Sequence, residues 1–253
     1  MKKALVLAAF CCSAGCGKSE SGPAPTPTPI PSPTPVPAPT PAIGSYQVAP
    51  VENSGSLSVM VRYLGRPPRN RPVDDPQCHG GKADDVVVGP EKQLRDAVAH
   101  LEIGAGKDFP SGPPPVINQV SCMFVPHVVL CKTNEAVTFR SSDEPLHNIH
   151  VLAYANHEMN QSVQRGGSVV YTPRSPEFIR VKCDVHPWMS AYIVVQKHPY
   201  YAISDAGGVA ELAEIPAGKF KLKVWHGTLG ELSREVEIKP NEKTEIVIEF
   251  PAE

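Results

Sequence analysis

Between Lys182 and Met189 the chain reads KCDVHPWM, which puts a thiol, an imidazole and a thioether on one short loop. Cys183, His186 and Met189 are soft or borderline donors. A copper ion that passes single electrons takes that kind of set: one thiolate, two imidazoles and a long, weak thioether contact. The loop holds one histidine, so a second imidazole has to come from another part of the chain. The candidate is His147 in AVTFRSSDEPLHNIHV, where a strand runs into a polar turn and the histidine stands at the entry to the next strand, 36 residues ahead of Cys183. The competing reading makes Cys183 half of a disulfide, with a histidine beside it by chance.

The other cysteines keep both readings open. Of seven in the chain, Cys11 and Cys12 fall in an N-terminal targeting stretch and Cys16 follows it, leaving Cys78, Cys122, Cys131 and Cys183. In an oxidising compartment four cysteines make two bridges. With Cys183 as a ligand, the other three allow one bridge and one spare thiol; Cys78 with Cys122 is one such pairing, which no pattern in the sequence singles out. His157 and Met159, in YANHEMNQS, suggest a second copper site or ordinary surface residues. His150 belongs on the strand face opposite Ile149, and His79, His100, His127, His198 and His226 lack ligand spacing. Richer chemistry is disfavoured. Lys182 and Asp184, not histidines, flank Cys183, as a trinuclear copper cluster would not have it, and a binuclear centre needs two cysteines in the loop. A cysteine nucleophile would need a base and an oxyanion hole.

Short runs rich in Val, Ile, Phe and Tyr, punctuated by Gly, Pro and Asn, must position these residues, and they predict an all-β chain. Candidate strands are LSVMVRY, DVVV, SCMFV, HVVLCK, AVTFRS, NIHVLA, SVVYT, EFIRVKC and AYIVVQ, followed by GVAELAEI, FKLKVWH, SREVEI and TEIVIEF. QLRDAVAHLEI is ambiguous: Leu94, Val98 and Leu101 have helical spacing, while Ala97, Ala99, Leu101 and Ile103 alternate, and the neighbouring strands favour a strand.

FVPHVVLCKTNEAVTFRSSDEPLHNIH followed by CDVHPWM resembles the cupredoxins, the type 1 (blue) copper proteins, with a Cys-x2-His-x2-Met spacing similar to the short amicyanin-type loop. The resemblance covers residues 116–196. It implies a Greek-key β-sandwich and one type 1 copper ion, with His147, Cys183 and His186 as equatorial ligands, Met189 as the axial ligand and Asn148 tying the two ligand loops together. It also implies that His186 reaches the surface through an apolar patch as an electron port, which Pro187 and Trp188 suit; Trp188 as a core residue is the alternative. SDAGGVAELAEIPAGKFKLKVWH resembles the carboxypeptidase regulatory-like (transthyretin-like) β-sandwich. That tail is short for the fold, so it either lacks the first strands or borrows them from SGSLSVMVRYLGRPP. The expected division is a signal peptide over 1–15, a lipidated N-terminus and Pro-rich linker over 16–46, a cupredoxin-like domain with extra N-terminal strands over 47–197, and a smaller β-sandwich-like module over 198–253.

MKKALVLAAFCCSAG has the basic, apolar and small-residue layout of a secretory signal. Ser13-Ala14-Gly15-Cys16 resembles the bacterial lipobox, which implies a lipid at Cys16 that holds the protein to a membrane of the cell envelope; ordinary secretion is the alternative. PAPTPTPIPSPTPVPAPTP, from Pro23 to Pro41, cannot build a hydrogen-bonded ladder and reads as a spacer. A net charge of −2 without a basic cluster argues against nucleic acid as partner. The expectation is therefore an exported one-electron carrier, not an enzyme, that meets a redox partner protein. Rival readings are a non-redox adhesion or scaffold protein and a copper capture or delivery protein.

Overall fold

Strand alternation decides where the candidate ligand residues fall. In the strand Glu177–Lys182, Ile179 and Val181 are buried and Arg180 is exposed, and Cys183 carries the inward series one step past the strand's end. In His147–Leu152, His147, Ile149 and Val151 are the inward set. The two strands pair antiparallel, His150 opposite Lys182 and Val151 opposite Val181, so both inward series end at the same edge of the sheet.

The computed structural model describes residues 45–66, 71–72, 75–78, 82–83 and 85–252. The sequence readings for residues 1–44, including the signal, Cys16 and the Pro-rich spacer, lie outside the described residues, as does His79. Every regular element is a β-strand. Among the described residues, no helix is long and apolar enough to cross a membrane.

Two sheets form the first sandwich. One runs Ser168–Tyr171, Val137–Ser141, Val116–Val120, Met123–Val125, and the other runs Met159–Val163, His147–Leu152, Glu177–Lys182, Ser190–Gln196, Val128–Lys132. Their inner faces bury Ile117, Val137, Phe139, Ile149, Val151, Ile179 and Ile193. The helix-free sandwich agrees with the all-β expectation. The two strands that carry the candidate ligands are direct neighbours, and Ser168–Tyr171, which lies between them in sequence, belongs to the opposite sheet.

The second sandwich corrects the expected division at residues 197 and 198. Its sheets are Tyr201–Ile203, Val98–Glu102, Gly218–His226, Gly230–Ile238 and, facing it, Val209–Ile215, Gly55–Tyr63, Lys243–Phe250. Residues 55–106 are thus not extra strands of the first sandwich. They supply an inner strand to each sheet of the second, Gly55–Tyr63 running parallel to Lys243–Phe250 and Val98–Glu102 antiparallel to Gly218–His226. The cause is burial: Leu57, Val59, Val61, Ala99 and Leu101 fill the middle of a core that the last strands alone leave open. The borrowing of strands from SGSLSVMVRYLGRPP is what the structure shows. Tyr46, expected in the linker, packs edge-on against Tyr200 and belongs to the folded unit. DVVV makes only an isolated bridge, Val88 to Leu94.

The sandwiches meet sheet to sheet. Val98, Val128 and Val194, with Phe178, Tyr192, Tyr201 and Trp225, make an apolar layer between them. This layer accounts for the ambiguity of QLRDAVAHLEI. Ala97, Ala99 and Leu101 face one core while Val98 faces another, and a strand buried on both faces has no clean period of two. Residues 42–253 form one compact unit that contains all of these cores.

Candidate metal centre

Where the two inward series end, three donor atoms converge. Nδ1 of His147 lies 2.8 Å from Nδ1 of His186, and Sγ of Cys183 lies 4.0 Å from the first and 3.9 Å from the second. All three residues are buried. The point equidistant from the three atoms is about 2.1 Å from each, and metal–nitrogen and metal–sulfur bonds are roughly 2.0–2.3 Å. The donors therefore fit a single ion. Met189 is fully buried in the same core, and its carbonyl accepts the Cys183 N–H at 3.2 Å while its N–H donates to the His186 carbonyl at 2.9 Å. The loop closes on itself and returns Met189 beside Cys183.

Neighbouring groups set the protons. Nε2 of His147 lies 3.0 Å from Oδ2 of Asp143. A carboxylate only accepts, so Nε2 carries the hydrogen and, in the neutral ring, Nδ1 turns a lone pair toward His186 and Cys183. Burial pushes the His147 imidazole down, but Cys183 and Asp143 outweigh it and the net shift is upward. Burial pushes the Cys183 thiol up, and the facing His147 imidazole, with the backbone N–H groups of Asn148, His186 and Val185, brings it below its ordinary value. His186 is pushed down by burial and by His147. A thiol held below its ordinary value beside two imidazole nitrogens is a set of donors arranged for a cation.

The surroundings lock this geometry. Asn148 accepts the Asp184 N–H at 2.6 Å and donates to Asp184 Oδ2 at 2.8 Å, joining the strand of His147 to the loop of Cys183. His150, on the outer face as expected, lies 2.9 Å from the same carboxylate oxygen. Asp143 is held by the backbone N–H groups of Ser121 and Cys122 at 2.6 and 2.8 Å. Of these contacts, only the tie through Asn148 is among the expectations from the sequence. The one further signal was Asp143 standing four residues before His147 in a turn.

One expectation for the loop is corrected, and of the two readings of Trp188 the packed one holds. His186 is only 6% exposed, so it is not an open port. Cys78 and Cys122 are joined as a disulfide, which fixes residues 75–78 over the ring, with Asp75 Oδ2 at 3.8 Å from His186 Nε2. Trp188 is half-buried, 5.1 Å from the His186 ring, and donates Nε1–H to the Cys122 carbonyl at 3.1 Å. It packs against the core, while Pro187 is exposed. The exposed apolar side chains here are Leu146 (54%) and Val185 (55%), each next to a ligand candidate. His157 packs on Tyr171 at 4.6 Å and joins no group of three His, Cys, Asp or Glu donors among the described residues. Cys131 is a free, buried thiol, pushed up to about 12 by burial and then Glu135.

No family model matches the chain, and no curated protein matches it significantly. Solved structures that match include a purple cupredoxin from Nitrosopumilus maritimus (16% identity over 32% of this chain and 99% of that one, TM-score 0.29). Amicyanin from Paracoccus versutus matches at 14% identity over 34% of this chain and 85% of that one, TM-score 0.30. A copper-containing nitrite reductase from Thermus scotoductus SA-01 matches at 19% identity over 38% of this chain and 25% of that one, TM-score 0.32.

Proposed function

We propose that His147, Cys183, His186 and Met189 hold one type 1 copper ion and that the protein is a one-electron carrier. The reading rests on one observation above others: two imidazole nitrogens and one sulfur, from separate strands, surround a buried point at bonding distance. Bound copper would supply a reversible one-electron couple. The chain's own residues do the rest. Asp143 keeps the proton on Nε2 of His147, and the Asn148–Asp184 pair holds the two ligand segments in register. The packed sheets on either side keep the donors from moving as charge changes, and burial excludes water. Nothing is turned over, so the protein is not an enzyme in this reading.

With His186 covered, a redox partner protein docks at the apolar rim of Leu146, Val185 and Pro187. In the same reading the signal, a lipid at Cys16 and the Pro-rich spacer place the carrier at the surface of a membrane in the bacterial envelope.

The test uses residues 42–253, which contain all the cores. Added Cu(II) is expected to give an intense visible charge-transfer band and narrow copper hyperfine splitting. Cys183→Ser is expected to stay folded and lose both. A colourless wild type that takes up no copper would favour a scaffold role, and one that binds Cu(I) without cycling would favour delivery.

A further inference from the structure

The layer between the sandwiches is thin beside the cores on either side of it. Its buried members are Val98, Val128 and Val194, while Phe178, Tyr192, Tyr201 and Trp225 are only partly covered. One titratable ring is sealed into it. His100 alternates with Ala99 and Leu101, so while they fill the second core its ring turns the other way, stacked on Tyr201 at 4.6 Å and lying 5.8 Å from Phe178 of the first sandwich. The residue is 8% exposed, and its Nε2 is a buried nitrogen with no hydrogen-bond partner. Charged groups surround the ring without serving it. Lys223 of Gly218–His226 is its cross-strand neighbour, and the carboxylate of Glu231, from Gly230–Ile238, stops 3.8 Å from Nε2, beyond hydrogen-bond reach. Lys223 Nζ holds that carboxylate at 3.3 Å and Glu102, on the strand of His100, at 3.0 Å, so both acids are already matched. Lys197 and, once protonated, His198 oppose charge on the ring from the connector before Tyr201–Ile203. Tyr201, pushed up to about 12 by burial, stays neutral, and the first sandwich presents Phe178.

We infer that the layer between the sandwiches is an acid-sensitive joint: a proton on His100 loosens Phe178 and Trp225 from their packing and frees the two sandwiches to shift about the connectors 107–115 and 197–200, with each core intact. A proton added to the packed ring puts a charge, and an N–H without an acceptor, between two aromatic side chains. Loosening the layer lets water solvate both. The sign follows from where the proton is better held. Burial, reinforced by Lys223, pushes the packed ring down to about 4, whereas an imidazole released to water takes its proton near 6.5. The joint is therefore fully closed above pH 6.5 and loosens progressively as the pH falls toward 4. It gives way before the cores because it buries less: each sandwich keeps its own continuous set of apolar side chains, Phe139 among them in the first and Phe250 in the second. The joint needs no metal in the proposed centre to act.

Hydroxyl-radical footprinting of metal-free residues 42–253, read by mass spectrometry at a series of pH values from 7 to 4, tests this. Labelling of Phe178 and Trp225 is expected to rise about threefold or more as the pH falls, while Phe139 and Phe250 stay protected as reporters of the two cores. His100→Gln and His100→Phe put a side chain that takes no proton at the same place, one polar and one aromatic. Each is expected to keep Phe178 and Trp225 protected across the whole range. Phe178 and Trp225 that stay protected in the wild type down to pH 4 overturn the inference. So does labelling of Phe139 and Phe250 in step with them, which would make the transition ordinary unfolding, and so does a rise that persists in either variant.

Discussion

Three packed histidines and His147 are buried alike and treated in opposite ways. Near the layer between the sandwiches, His100 stacks on Tyr201 at 4.6 Å and His198 packs 5.0 Å from the same ring, while His226 stands against Phe250 in the second core. Burial, reinforced by Lys223, His100 and His127 respectively, pushes each of the three down to about 4. At the end of the first sandwich His147 is buried as deeply but shifts upward, because Cys183 and Asp143 face its two nitrogens. Burial alone makes a histidine a neutral packing piece; a site appears where burial is combined with charge-bearing partners on both edges of the ring.

The largest expected effect tests the packing set. A folded-state value near 4, against an ordinary 6.5, means that the unfolded chain takes the proton first as the pH falls. Stability is then full above pH 6.5, declines between 6.5 and 4, and levels off below. The decline is at most about 1.4 kcal/mol per pH unit for each imidazole. Urea melts at a series of pH values measure it, and His226→Asn should remove one proton's worth of slope. A slope that stays the same in that variant would break the comparison.

Next in size is the staple, which only the first sandwich has among the described residues. Reducing Cys78–Cys122, whose ends are 44 residues apart in sequence, should cost about 2–4 kcal/mol. Chemical denaturation with and without reductant reads this, and the second core should hold longer than the first. Asp143→Asn sharpens the contrast at His147. It should lower copper affinity roughly 10- to 100-fold in chelator competition and, because both carboxylate oxygens also accept backbone N–H groups, lower the melting temperature of the metal-free protein as well. The smallest effect belongs to Asp184→Asn, which loses the exposed pairings with Lys182 and His150. A modest drop in Tm that fades at high salt is the expected signature.

What the sequence disclosed follows from how local each feature is. Cys183, His186 and Met189 lie on one loop, and strand alternation carries His147 to the same end of the sheet, so the cluster was legible from spacing and order. Asp143 was not, because its role depends on a turn geometry that also engages Ser121 and Cys122. The cover over His186 depends on a bridge between distant cysteines, and spacing does not select cysteine pairs. The placement of Val98–Glu102 failed for a related reason, and that of Gly55–Tyr63 was one of two readings. The strand character of Gly55–Tyr63 was plain and that of Val98–Glu102 ambiguous, and for both the choice of sheet is made by non-local pairing with residues beyond 200.

The parallel pairing of Gly55–Tyr63 with Lys243–Phe250 bears on the order of assembly. The central strand of that three-stranded sheet must wait for a partner made near the end of synthesis, whereas residues 116–196 hold every strand of the first sandwich in one uninterrupted stretch. Short-range closure is the faster process. The lobe with the clustered donors thus has time to take shape while its neighbour is still incomplete.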